Sequence, residues 1–215
     1  MEEQNIESSL ITTIVNSDAK EIASDMIELS LDSVLDDGLL KDIPIIGILA
    51  KLYSTGQTIQ GKIFEKKIIK FLYETEKTKK ADKEKFNNKL NSDLDYRKKV
   101  GEQLLVILDR LDNIEKASVL GRLFKAFMEE SIDLNMFQRL ASVVASGFLP
   151  DLKKLVDYEK QSQWSSFTST SLSNLGLVHR SYVKPEKFDE YGKQLDGSEY
   201  SITKLGIELL KLRII

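Results

Sequence analysis

The sequence has no cysteine, one histidine and three prolines in its 215 residues. Without cysteine, the chain forms no disulfide, no thiolate zinc site and no cysteine nucleophile, and a reducing compartment is its natural setting. His179 is the one imidazole, so a Ser-His-Asp triad would have to use it, and a cluster of histidine ligands is excluded. The lack of cysteine and the single histidine therefore exclude several classes of enzyme and of metal site.

Long apolar runs are also scarce. The main uninterrupted run covers residues 43–50, whereas a helix needs about 20 apolar residues to cross a bilayer. The first residues, MEEQNIESSL, are acidic where a secretory signal is basic. We therefore expect a cytoplasmic protein without a membrane-spanning helix, and peripheral attachment at the inner face of the membrane stays open.

Charge is unevenly distributed along the chain. The formal net charge is -3, but residues 1–37 contain a single basic residue, Lys20, among many acidic ones, whereas residues 62–99 are rich in lysine. Such regions either neutralise each other within the fold or leave the basic part to face an anionic partner. The sequence is compatible with both arrangements.

Apolar residues recur at helical spacing through most of the chain, which predicts a mainly α, multi-helix bundle. Ile22 and Met26 mark one amphipathic helix, and a stripe from Ile45 to Ile63 marks a second that continues through Leu72. The expected organisation is an N-terminal helical region (1–75), a lysine-rich connection or exposed helix (76–98), a helical bundle (99–160) and a C-terminal module (161–215).

The last fifty residues predict a small β-hairpin between helices. The segment LSNLGLVHRSYV contains strand-compatible residues, Asp196-Gly197 is a turn signal, and residues 199–202 can pair back. Thr203 is placed to cap a final helix. The order of helix, strand, turn, strand and helix is similar to the closing part of a winged-helix domain.

Two motifs that suggest chemistry have structural explanations. Residues 56–62, GQTIQGK, match a phosphate loop, but Ile63 stands where a magnesium-binding Ser or Thr is needed. Asp109, Asp112 and Glu115 share one helix face. The spacing of Asp112 and Glu115 is that of a capping box at a helix start. We therefore predict no catalytic, cofactor-binding or metal-binding residue.

The winged-helix-like module raises DNA binding as an alternative function. Proteins that read DNA place Arg, Lys, Asn or Gln on the helix that precedes the wing, but residues 161–174 contain neither Arg nor Lys. Arg180 and Lys184 could still contact phosphate from the wing. A protein partner or a homo-oligomer is therefore favoured over nucleic acid.

The apolar-then-basic order of residues 43–70 predicts a contact surface. The predicted membrane or partner contacts are Ile45, Ile46, Leu49, Leu52, Lys62, Lys66, Lys67 and Lys70. A helix of this kind can lie on a membrane while its lysines reach anionic headgroups. A buried core helix is the alternative, because apolar runs this short occur more often in cores than in membranes.

Two separated segments, LLKDIPIIGILAKLY…KIFEKKIIKFLYE and LSNLGLV…YSITKLGIELL, resemble the abortive-infection alpha-type proteins, helical bacterial proteins linked to defence against bacteriophage. The similarity covers the Ile-Pro-Ile-Ile-Gly segment with its basic continuation, and the C-terminal Leu-Gly-Leu and Thr-Lys-Leu-Gly elements. Residues 102–158 contribute helix patterning only. The resemblance implies a cytoplasmic defence or regulatory protein without an established active site, acting on a membrane or on another protein.

Three functions are compatible with these observations. The first is a non-enzymatic bacterial interaction protein in phage defence, acting through a protein partner or through an anionic membrane surface. The second is a winged-helix DNA-binding regulator, and the third is a helical scaffold with no membrane role. None of them requires a cofactor, and the sequence identifies no small-molecule substrate.

Overall fold

The structure, a computed structural model, describes residues 6–16, 43–53, 59–157, 165–182 and 198–215. These residues form ten helices and one two-stranded antiparallel sheet. The expectation of a mainly α protein with a small hairpin near the C-terminus is confirmed. The predicted helix around Ile22 and the turn at Asp196-Gly197 lie outside the described residues.

The chain divides into two compact units, Met1–Ala145 and Ser146–Ile215. The helices of the first unit are α1 (Ile6–Asn16), α2 (Pro44–Tyr53), α3 (Ile59–Glu76), α4 (Lys80–Ser92), α5 (Leu94–Arg110), α6 (Ile114–Met128) and α7 (Leu134–Ser146), which ends at the boundary. The second unit contains α8 (Leu149–Lys154), α9 (Ser166–Asn174), β1 (Val178–Tyr182), β2 (Ser198–Ile202) and α10 (Lys204–Lys211). None of these described helices is long and apolar enough to span a bilayer.

Five aromatic rings form the centre of the first unit's core. This phenylalanine cluster consists of Phe71, Phe86, Phe124, Phe127 and Phe137, whose neighbouring ring centroids lie between 5.4 and 5.7 Å apart. Aromatic pairs at such separations attract each other beyond their hydrophobic burial. Because the rings come from α3, α4, α6 and α7, the cluster joins four helices.

Two glycines allow helices of the first unit to approach closely. At Gly121 of α6, a Cβ would lie 2.7 Å from the carbonyl oxygen of Phe71 and 2.7 Å from the Cβ of Glu74, both on α3. At Gly101 of α5, a Cβ would lie 3.0 Å from the carbonyl oxygen of Glu7 on α1. The missing side chains therefore set the spacing of α3 with α6 and of α1 with α5.

Residues 76–98, predicted as a lysine-rich connection or an exposed helix, are largely helical and lie within the first unit. This region contains α4 and the start of α5, and Lys83, Phe86 and Leu90 are buried. Phe86 and Leu90 lie one turn apart on the same face of α4, so this lysine-rich helix still presents an apolar side to the core. The boundary between the compact units follows Ala145.

The start of α6 also differs from the prediction by one residue. Asn113, not Asp112, is the N-cap, and its Oδ1 accepts a hydrogen bond from the backbone N–H of Glu115 at 2.7 Å. Asp112 instead pairs with Lys116, whose Nζ lies 2.7 Å from the Asp112 Oδ1. The same Nζ donates to the carbonyl oxygen of Ala145 at 3.1 Å, so Lys116 links α6 to the end of α7.

The hairpin of the second unit has the predicted form. β1 and β2 pair antiparallel, from Val178 opposite Ile202 to Tyr182 opposite Ser198. Both strands lie within the segments that the sequence assigns to the hairpin, apart from Ser198 at the start of β2. The strand-compatible residues of these two segments therefore identified the strands correctly.

The predicted cap of the final helix is confirmed. The Oγ1 of Thr203 accepts from the backbone N–H of Gly206 at 3.1 Å and donates to the carbonyl oxygen of Gly176 at 2.6 Å. A Cβ on Gly206 would lie 2.3 Å from the carbonyl oxygen of Leu177. The Leu-Gly-Leu and Thr-Lys-Leu-Gly elements quoted for the family resemblance therefore contact each other. Close packing explains the glycine at 206, whereas a positive φ of 71° favours the glycine at 176.

Candidate interaction site

Helix α3 is amphipathic, with a core side and a side that faces outwards. Ile68, Ile69 and Leu72 are buried on the core side. The opposite side carries Ile59, Ile63, Lys66 and Lys70, spaced four, three and four residues apart, with Lys62 beside them. Such spacing places the side chains on one stripe of the helix. We call these five residues the α3 outer face.

The α3 outer face is apolar at one end and cationic along the rest. The side chain of Ile59 is 80% exposed and that of Ile63 is 38% exposed. Lys62 is exposed, and Lys66 and Lys70 are half-buried. From Ile59 to Lys70 the helix rises about 16 Å. Two apolar side chains are thus followed by three lysines on one accessible stripe.

Lys67, which the sequence placed in the contact surface, has a different role. Its side chain is buried, and its Nζ donates to the carbonyl oxygen of Asp109 at 3.1 Å, near the end of α5. A cation beside the last carbonyl groups of a helix is favoured by the helix dipole. Lys67 therefore joins α3 to α5 and is not part of the outer face.

The apolar residues predicted as contacts lie in the core. Ile45, Ile46 and Leu49 of α2 are 0%, 4% and 1% exposed, because α2 packs against α1 and α3. Leu52 lies in α2, and its side chain is outside the described set. In this conformation, residues 45, 46 and 49 are not available to a membrane or a partner, as the alternative of a buried core helix predicts.

Bringing these residues to a surface would be costly. Burying an aliphatic side chain contributes about 1.5–3 kcal/mol, so exposing Ile45, Ile46 and Leu49 together would cost roughly 5–9 kcal/mol. The total stability of a domain is about 5–15 kcal/mol. Any contact that leaves the fold intact must therefore use residues that are already exposed. Among the described apolar side chains of residues 43–63, Ile59 and Ile63 are exposed.

The sequence placed Ile59 and Ile63 on one helical stripe with Ile45, whereas Ile45 is buried and Ile59 and Ile63 are exposed. The error comes from treating residues 45–63 as one helix, whereas α2 ends at Tyr53 and α3 begins at Ile59. The buried side of α2 does not determine which side of the separate helix α3 is buried. Lys66 and Lys70, three and seven residues after Ile63, were the available signal that this side of α3 faces outwards.

One acidic side chain lies close to the outer face in sequence. Glu65 of α3 is buried, and this burial raises the pKa of its carboxyl group, while the positive charge of Lys62 lowers it in part. Burial therefore destabilises the ionised form of Glu65 relative to the neutral form. Of the outer-face lysines, Lys62 is the one whose charge acts on this buried carboxyl group.

A shallow cleft of about 410 Å³ also borders α3. The apolar residues Leu49, Phe64 and Val106 line it, together with the polar residues Gln60 and Asp109. Val106 is half exposed at the cleft. The cleft adds apolar surface beside Phe64 of α3, but its described lining lacks a convergent set of acid, base and nucleophile side chains.

The residues proposed for DNA contact are not brought together by the described part of the second unit. Arg180 lies exposed on β1, and Lys184 is outside the described residues. Helix α9, which precedes the hairpin, carries no basic side chain, and its Phe167 is 85% exposed. The DNA-binding function stays a prediction, without a basic surface on α9 to support it.

Comparison of the chain with known proteins gives no relative. No protein-family model, no curated protein and no solved structure matches it.

Proposed function

We propose that this protein is a non-enzymatic interaction protein that attaches to an anionic membrane surface through the α3 outer face. The observation that carries the proposal is the stripe of Ile59, Ile63, Lys62, Lys66 and Lys70, with its exposed apolar end and its three lysines. Interfacial helices combine these two features, since apolar side chains enter the headgroup region while lysines approach anionic lipid.

The balance of free energies supports attachment without unfolding. Each lysine near an anionic surface contributes about 1 kcal/mol, and an exposed isoleucine that becomes buried contributes about 1.5–3 kcal/mol. The lysines and the isoleucines together therefore contribute more binding free energy than either set alone. Residues of α2 stay buried in the core. The proposed attachment is therefore peripheral and reversible, and it weakens as salt screens the lysines.

The biological setting is part of the same proposal. The resemblance to abortive-infection alpha-type proteins supports a role in phage defence, with a cytoplasmic location and contact at the inner face of the membrane. An acidic surface on a protein partner would present similar chemistry to the α3 outer face. The experiment below therefore separates lipid from protein as the source of negative charge.

The test is flotation of the full-length protein with vesicles of phosphatidylglycerol and phosphatidylcholine, compared with vesicles of phosphatidylcholine alone, over a salt series. We expect binding only to the anionic vesicles, with weaker binding as salt rises. The triple substitution Lys62→Gln, Lys66→Gln and Lys70→Gln should lower partitioning roughly 100-fold, which corresponds to about 3 kcal/mol.

A matched control variant removes the same number of positive charges at a different place on the surface. The triple substitution Lys89→Gln, Lys98→Gln and Lys99→Gln removes three exposed lysines from α4 and α5. If it weakens binding as much as the α3 triple, overall charge and not the α3 outer face is responsible. Failure of the folded wild type to float at low salt would reject the membrane and leave an acidic protein partner or a scaffold role.

The apolar end has its own control. Ile59→Ser should weaken flotation, whereas Leu94→Ser, at a position that is 71% exposed on α5, should not. Both substitutions remove an exposed aliphatic side chain, so they affect folding to a similar small degree. Equal behaviour of the two variants would contradict insertion of Ile59.

A further inference from the structure

A polar cleft lies where α3 turns into α4, away from the α3 outer face. Its volume is about 450 Å³, within the range of small-molecule sites. Its walls are formed by the end of α1, the turn between α3 and α4, and the first two turns of α4. All these elements belong to the first unit.

The first turn of α4 lacks a side-chain cap. Its N-cap residue is Lys79, whose side chain makes no capping hydrogen bond, because an ammonium group has no acceptor to offer. The first backbone N–H groups of a helix need acceptors and carry the positive end of the helix dipole. An anion that reaches this end would meet both requirements.

A buried hydroxyl provides an independent sign of a ligand. Thr78, directly before the N-cap, lines the cleft and is only 6% exposed. Its Oγ1 has no hydrogen-bond partner among the described residues. Buried hydroxyl groups are nearly always hydrogen-bonded, so an unpaired one has a hydrogen-bonding requirement that a ligand in the cleft would meet.

The charged side chains of the cleft complete the set of donors. Lys80 and Lys83 both line it. The Nζ of Lys83 donates to Glu76 Oε1 at 2.8 Å, which neutralises that carboxylate. Asn87 also lines the cleft, and its Oδ1 accepts from Arg97 Nη1 at 3.4 Å. Glu84 is the remaining carboxylate in the wall.

We infer that this cleft binds a small phosphate monoester, with the phosphoryl group at the first turn of α4, between the hydroxyl of Thr78 and the ammonium of Lys80. A phosphoryl group has enough acceptor oxygens for the backbone N–H groups, the hydroxyl and the lysine together. Glu84 disfavours an extended polyanion. The Glu84 carboxylate can accept hydrogen bonds, so the cleft suits a ligand whose remaining part carries hydroxyl or amino donors.

The test uses the full-length protein, with inorganic phosphate and AMP as probes. In amide chemical-shift titrations we expect saturable shifts at residues 78–83 for both probes, with tighter binding of AMP. Thr78→Val and Lys80→Gln should each weaken AMP binding about tenfold or more. Lys85→Gln, on the same helix but outside the cleft, should change it less than about twofold.

Stability of the unliganded variants separates binding from folding. Thr78→Val removes an unpaired buried hydroxyl, so its unfolding midpoint without ligand should equal or exceed that of the wild type. Absence of shifts at residues 78–83 in the wild type overturns the inference. So does an equal loss with Lys85→Gln, which would mean diffuse charge attraction. Neither result bears on membrane attachment through α3, since the two sites share no residue.

Discussion

At the scale of single residues, buried polar groups of the second unit are joined into a small network. The Oγ1 of Thr168 donates to Asp151 Oδ1 at 2.8 Å and lies 3.0 Å from Ser165 Oγ, and Lys154 Nζ donates to it at 3.2 Å. Thr168 and Asp151 are both buried. The network fixes α9 to α8, since it bridges the two helices.

Thr168→Val should therefore destabilise the second unit by about 1–3 kcal/mol, because it leaves the buried Asp151 carboxylate without its donor. Thr170→Val, at an exposed position on the same helix, is the matched control and should change stability by less than about 0.5 kcal/mol. Urea unfolding followed by circular dichroism measures both. Equal effects would mean that β-branching, and not the hydrogen bond, sets the cost.

Glu65 and Glu130 predict opposite dependences of stability on pH. Burial raises the pKa of Glu65 above its usual value near 4.5. The hydrogen bond from Lys85 lowers the pKa of Glu130 below the same value. Ionised Glu65 therefore reduces stability as pH rises from 4.5 through its raised pKa. Ionised Glu130 adds stability that is present above 4.5 and is lost as pH falls through its lowered pKa.

In urea titrations at neutral pH, Glu65→Gln should raise the unfolding midpoint and Glu130→Gln should lower it. Both differences should vanish once the medium is acidic enough to protonate the glutamates, because glutamine resembles the neutral carboxyl group. A shift of the same sign in the two variants at neutral pH would contradict the assigned causes.

At the scale of elements, the closest helix contact is that of α3 with α6 at Gly121. Gly121→Ala should cost about 1–3 kcal/mol, because the new methyl group would meet the backbone of Phe71 and not a flexible side-chain end. This loss outweighs the gain of about 1 kcal/mol that alanine brings to a helix interior.

Gly101→Ala tests whether the loss of stability follows the severity of the steric overlap. Its Cβ would lie 3.0 Å from the Glu7 carbonyl oxygen, a milder overlap than the 2.7 Å at Gly121. The loss at Gly101 should therefore be smaller, as measured by chemical denaturation of the two variants. A larger loss at Gly101 would show that α1 and α5 yield less easily than α3 and α6.

Local sequence signals predicted elements well where a helix has a clear apolar stripe or a cap. The hairpin, the Thr203 cap and the helical character of residues 99–146 follow from such signals. Helix α1 was not singled out within the predicted helical region 1–75, because the first residues were interpreted only as acidic. Its Leu10, Ile11 and Ile14 are buried. Packing against α2 and α5 therefore stabilises this helix, although its local sequence does not mark it clearly.

At the scale of the whole molecule, the phenylalanine cluster lies entirely within the first unit, residues 1–145. Expressed alone, residues 1–145 should give a helical circular dichroism spectrum and a single cooperative urea transition. Phe124→Ala in this fragment should lower stability by about 3–5 kcal/mol. A non-cooperative transition in the unsubstituted fragment would contradict an independent core.

Assigning residues to the candidate sites required the tertiary structure more than predicting the helices and strands did. The sequence identified the lysines of α3, but it could not separate Lys62, Lys66 and Lys70 from Lys67, whose partner Asp109 lies 42 residues away. Nor could it find the cleft at Thr78, because its wall includes the end of α1, more than sixty residues earlier in the chain. Long-range neighbours decide which polar groups are paired.

By itself, the sequence determined that this protein is mainly helical, that it closes with a hairpin and a capped helix, and that it has no disulfide or thiolate chemistry. Only the tertiary structure decided that Ile45, Ile46 and Leu49 are core and that Ile59 and Ile63 are exposed. The physical reason is that a periodic pattern states which side chains share a face of one helix. Burial of that face depends on which other helices pack against it.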